Sequence, residues 1–181
     1  YKAVDSNFNG RIIANGTSSD NIFCHSSQFN SPKVPFTLKG TAFMCAWSTN
    51  TNNYIGGLSG EAGTKLAGSS KNTKVFTCSW TVVGANTDEE FKGTICNLPA
   101  GKNSAYSGTT SIVKVGTGEW KLSGTNDYAG TTQVQGGKLT VNGKNTGTGA
   151  VTVSKGAELA GKGSIGGVVT LQSGAMLTAG D

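Results

Sequence analysis

Histidine is nearly missing, with His25 the only one in 181 residues. No CxxC spacing accompanies it, so a structural zinc site is not expected. Proline is scarce too. Three prolines against 28 glycines exclude both collagen and a proline-rich linker. Charged residues make up only 14%, whereas disordered chains are charge-rich and poor in β-branched residues. The net charge is +5, yet the basic residues are scattered singly, as at Lys92, Lys102, Lys114, Lys121 and Lys138. Nucleic-acid binding gathers them on one face, so no nucleic-acid partner is expected. No apolar run approaches the ~18 residues of a membrane-spanning helix, and no membrane insertion by this segment is expected. No stretch shows the apolar 3.6-residue period of a helix.

What remains is short Val/Ile/Thr/Leu runs punctuated by Gly and Asn, the pattern of many short strands joined by tight turns. An internal repeat organises them. Set against each other at a constant offset, residues 149–161 and 167–179 match Gly149 with Gly167 and Val151 with Val169. They also match Val153 with Leu171, Gly156 with Gly174, and Leu159 with Leu177. An earlier copy runs from Thr132 to Val141 through the Gly136-Gly137 turn. A period of roughly 18–20 residues is too short for a propeller blade or a helical pair. It fits one rung of a β-solenoid, whose strands pair in parallel with the rungs above and below at ~4.8 Å. Val and Leu then point inward, the intervening Thr, Lys, Gln and Ser point outward, and Gly137, Gly156 and Gly174 turn corners.

The fold expected is all-β, a parallel β-helix. One domain spans 1–181, with irregular rungs and wider loops over 1–110 and regular rungs over 111–181. Phe8-Asn9-Gly10-Arg11-Ile12 is similar to Phe91-Lys92-Gly93-Thr94-Ile95, and Phe23-Cys24, Phe43-Met44-Cys45 and Phe76-Thr77-Cys78 read as degenerate rungs. The chain opens without Met and stops within the repeat, which reads as a fragment of a longer chain.

The four cysteines fall in two pairs, Cys24–Cys45 and Cys78–Cys96. The partners of each pair are separated by about one rung of chain. Stacked positions would bring their Cα atoms to ~5 Å, within disulfide range. Both pairs are expected as neighbours, either bonded or stacked as free thiols.

Groups that could carry chemistry are few. Ten acids are spread along the chain, and their one cluster, Asp88-Glu89-Glu90, reads as a solvated loop with a weak calcium site as the alternative. Cys24 and His25 would point to opposite faces of a strand. Gly116-Thr117-Gly118 lacks the GK[ST] of a phosphate loop. No catalytic residue, metal or cofactor is expected. Among the aromatics, Trp80 alternates with Cys78 and Val82, and Trp120 with Leu122, so both belong to the core. Trp47 and Tyr54, beside a polar Asn/Thr stretch, are the candidate ligand-binding pair, suited to stacking on a sugar.

Residues Lys114 to Thr132, KVGTGEWKLSGTNDYAGTT, resemble the autotransporter-associated β-strand repeat, also called the passenger-associated transport repeat. Gly116, Gly118, Trp120, Leu122, Gly124, Asn126, Tyr128, Gly130 and Thr132 fall in its pattern. Val134, the Gly-Gly turn, Leu139 and Val141 continue it. The resemblance is clear over 111–181 and weaker back to residue 55. It implies a right-handed parallel β-helix at the outer surface of, or secreted by, a Gram-negative bacterium. There it would act as a non-catalytic structural or adhesive segment, supporting passenger folding or cell-surface interaction. The expected partners are host or environmental glycans or surface proteins, and the neighbouring rungs of the longer chain. A glycan-binding module of a carbohydrate-processing protein is the alternative. A polysaccharide lyase or hydrolase is disfavoured by the sparse acids.

Overall fold

The computed structural model describes residues 10–17, 22–25, 30–46, 52–69, 77–97 and 109–180. Within them the chain coils into successive turns of a parallel β-helix. The first turn carries β1 (Ile12–Gly16) and β2 (Ile22–His25). The next two carry β3 (Asn30–Gly40) with β4 (Phe43–Ala46), and β5 (Asn52–Gly60) with β6 (Lys65–Ser69). From there each turn has three strands: β7 (Thr77–Val82), β8 (Glu89–Phe91) and β9 (Thr94–Cys96), then β10 (Thr109–Lys114), β11 (Glu119–Leu122) and β12 (Thr125–Asn126). Two more full turns follow, β13 (Thr132–Val134), β14 (Lys138–Val141) and β15 (Lys144–Asn145), and β16 (Val151–Val153), β17 (Glu158–Gly161) and β18 (Ser164–Ile165). β19 (Val169–Leu171) and β20 (Met176–Ala179) complete the described chain.

The strands stack into three faces. Face A runs β7–β10–β13–β16–β19, and face B runs β8–β11–β14–β17–β20. The long β5 bends across both, pairing with β7 through Asn52–Tyr54 and with β8 at Gly60, which joins the faces into one 13-stranded sheet. Face C is β2–β4–β6–β9 followed by β12–β15–β18. Every pairing is parallel, as a coil of constant direction requires. The register confirms the offset of the sequence repeat: Val151 lies against Val169, Val153 against Leu171, and Leu159 against Leu177.

The inward columns form the core. On face B, Trp120, Leu139 and Leu159 stack in register and all are buried. Trp80 and Trp120 are wholly buried as expected, and each indole satisfies its N–H on a core carbonyl, Ala67 O and Leu58 O, both at 2.9 Å. Corners need close backbone approach. At the corner between faces B and C, Gly124, Gly143 and Gly163 form a column in which a Cβ would overlap the carbonyl oxygen of Gly93, Gly124 or Gly143 below. Only glycine lets the rungs close to β spacing there.

The N-terminal turns correct two sequence readings. Ile12 pairs with Phe36 on face B while Ile95 pairs with Leu66 on face C, so the segments around Phe8 and Phe91 are not equivalent; Phe8 itself lies outside the described residues. Cys78 lies on face A, unlike Cys45 on face C. The cause is uneven rung length. Trp120 stacks between Glu89 of the rung before and Leu139 of the rung after, and the chain from Glu89 to Trp120 is much the longer of the two stretches. Sequence separation therefore does not report stacking in the first half of the chain.

Candidate functional site

From residue 110 to residue 134 nearly every even-numbered side chain is turned inward. Thr110, Lys114, Trp120, Leu122, Asn126, Tyr128, Thr132 and Val134 are all buried. The two-residue period of a strand is thus carried around the corners of a whole rung. The family-like signature is this inward set, and its polar members form a seam inside the core.

Lys114 opens the seam, and its orientation corrects the expectation that the lysines face solvent. It ends β10 in the column shared by Val82 and Val134 and is wholly buried. Its Nζ donates to the carbonyls of Val115 at 2.9 Å, Gly116 at 3.3 Å and Gly136 at 2.9 Å. The ammonium therefore caps the corner between faces A and B in its own rung and the next. Burial pushes its pKa down to about 8, opposed in part by the charge of Asp88.

Asn126 carries the join between the two halves of face C. β9 and β12 share no ladder pairing among the described residues. Instead the Ile95 N–H donates to Asn126 Oδ1 at 2.8 Å, and the Asp127 N–H to the Ile95 carbonyl at 3.0 Å. Asn145 stacks in register on Asn126. Its Nδ2 donates to the Tyr128 hydroxyl at 3.1 Å, and that hydroxyl lies 2.7 Å from Thr132 Oγ1. Burial raises the Tyr128 pKa, partly offset by these two bonds.

A second buried polar group lies under the N-terminal turns. The acid cluster is not a loop site. Glu89 occupies an inward position of β8, in register with Trp120, and its side chain is only 3% exposed. Arg11 grips it with two bonds, Nη2 to Oε1 at 2.6 Å and Nη1 to Oε2 at 3.0 Å, while the Thr87 hydroxyl donates to Oε1. Arg11 also reaches Thr37 and Ser59 on the outer face of β3 and β5. Gly57 leaves the room, since a Cβ there would stand 2.9 Å from Glu89 Cγ. The Glu89 bonds raise the Arg11 pKa. Asp88 and Glu90 part from Glu89: Asp88 Oδ1 accepts the Glu119 N–H, and Glu90 accepts from the Ser123 hydroxyl, which lowers its pKa. No group of three or more metal-ligating side chains occurs among the described residues.

The remaining site residues do not converge. Tyr54 is half-buried on face A, opposite Asn30 and Thr81. Trp47 lies outside the described residues. β2 and β4 set Cys24 opposite Cys45 in register, and Cys45 is disulfide-bonded. Cys78 and Cys96 are free and do not stack, which corrects that pairing: Cys78 pairs with Thr110 on face A and Cys96 with Ala67 on face C. Burial raises the two thiols to about 12 and about 11.

The sequence matches the passenger-associated transport repeat family over residues 112–141. That span begins within β10 and ends with β14, and it includes the whole inward seam but Asn145. A relative in Brucella suis biovar 1 (strain 1330), described as an adhesin autotransporter, BmaC, is 40% identical over 79 residues. Those residues are 43% of this chain and 2% of the adhesin, so the chain spans a small part of that protein's length. No solved structure matches. The match and the parallel solenoid agree on an autotransporter-associated repeat protein built as a β-helix.

Proposed function

We propose that this chain, which carries a passenger-associated transport repeat at residues 112–141, is a non-catalytic β-helical segment of a secreted or surface-exposed bacterial protein. It supports folding of the passenger and presents neighbouring regions at the cell surface. The observation that supports this reading is the inward orientation of the repeat's signature residues. Lys114, Asn126, Tyr128 and Thr132 are buried and bonded within the rungs, so they build the helix and are not offered to a ligand. A solenoid gains its core rung by rung, and a regular, internally bonded rung is a template for its neighbours.

Two measurements test this. Removing residues 111–181 is expected to lower the thermal stability of residues 1–110, because the β7 and β8 edges lose β10 and β11; an unchanged melting temperature would sink the folding role. Affinity electrophoresis through plant, host and bacterial polysaccharides is expected to show free migration. Retardation by one glycan, lost in Trp47→Ala or Tyr54→Ala, would make the chain a glycan-binding module instead.

A further inference from the structure

The last turn leaves its core open. Leu177 is 57% exposed, while its register partner Leu159 is 2% exposed. Val169 is 38% exposed and its partner Val151 1%. Together with Val141 and Ile165 these side chains line a cavity of about 230 Å³. Met176 at 51% and Val168 at 75% extend the apolar surface to the rim. The backbone edge is also open. In the turns below, the Thr132 N–H donates to Ala150 O at 2.9 Å and the Val151 N–H to Val168 O at 2.8 Å. The Val169 N–H holds the equivalent place on the final rung and points beyond it.

We propose that this end is a docking surface for one further parallel β-rung, a segment with two aliphatic residues two apart, a glycine turn, and a leucine six positions after the second aliphatic. That spacing is Val151, Val153, Gly156 and Leu159, repeated at Val169, Leu171, Gly174 and Leu177. The contact continues the interface already made between rungs: backbone ladder on faces A and B, aliphatic side chains in register into one cavity. Ladder bonds supply the alignment and alternate side chains the specificity, as in strand addition at any open sheet edge.

Topology selects this occupant over a second copy meeting end to end. A twofold axis normal to a three-faced solenoid maps one face onto itself and exchanges the other two. If face A met face A, its strands would run antiparallel and β20 of face B would meet face C. Leu177 would then find no leucine column. Only a rung of the same sense matches Val169 and Leu177 at once. The inference goes beyond the folding role and does not depend on it, since it rests on the rung geometry alone.

Hydrogen exchange tests it. The probe is a synthetic peptide of residues 149–166, added to the full 181-residue chain. Exchange at the Val169 amide is expected to slow by about tenfold or more at saturating peptide, while a scrambled peptide of the same composition leaves it unchanged. A peptide carrying Leu159→Asp is expected to lose the effect, and this control leaves the folded chain untouched. Unchanged exchange at millimolar peptide would overturn the proposal. So would slowing that rises with chain concentration without peptide, which would assign the surface to a second copy.

Discussion

Asn145 on one rung donates to the hydroxyl of Tyr128, which belongs to the rung before it, at 3.1 Å. The bond ties neighbouring turns inside the core, where a broken partner is costly. Tyr128→Phe would strip Asn145 Nδ2 and Thr132 Oγ1 of that hydroxyl. We expect a loss of about 1–3 kcal/mol, read as a lower urea midpoint with an unchanged slope. An unaltered midpoint would show that the seam does not hold the rungs together.

Lys114 gives a pH signature. Its pKa is about 8 when folded against 10.5 ordinarily. Between those values the unfolded chain holds more protons at this site, so stability rises with pH from about 8 to about 10.5. Below pH 8 both states are protonated and the contribution is flat. Lys114→Met is expected to erase the rise. It also strands the carbonyls of Val115, Gly116 and Gly136, costing about 1–3 kcal/mol at neutral pH. Thermal melts of both proteins at pH 7.5, 9 and 10.5 check this.

Arg11 holds a buried carboxylate. Arg11→Met leaves Glu89 without its cation at a position 3% exposed, and a loss of about 3 kcal/mol follows. The double variant Arg11→Met, Glu89→Leu is expected to recover part of it, because no charge is then left in the core. A double-mutant cycle by denaturant unfolding measures the coupling.

The register of Cys24 against Cys45 and the bonded state of Cys45 lead us to propose a Cys24–Cys45 bridge. Peptide mapping without reductant is expected to recover that pair. Cys78, with its thiol raised to about 12, is expected to alkylate only after unfolding. A bridge from Cys45 to any other cysteine would refute the pairing.

The sequence by itself determined the parallel β-helix, the rung register of its second half and the burial of Trp80 and Trp120. Two-residue alternation that recurs once per rung has few other ways to bury its aliphatic columns. It did not reveal the stacking of the first half, because unequal rung lengths detach sequence separation from spatial register, and Cys78 and Cys96 misled for that reason. Nor did it reveal that Lys114 and Glu89 point inward. A lone charge in a strand reads as an outward position, and only the tertiary structure brings carbonyls from two rungs around Lys114 and carries Arg11 across three turns to Glu89. The Gly136 carbonyl and Arg11 are far from Lys114 and Glu89 along the chain, and no local pattern connects them. Local pattern sets which residues alternate. The cost of burying a charge, and what offsets it, is decided only when distant rungs close around it.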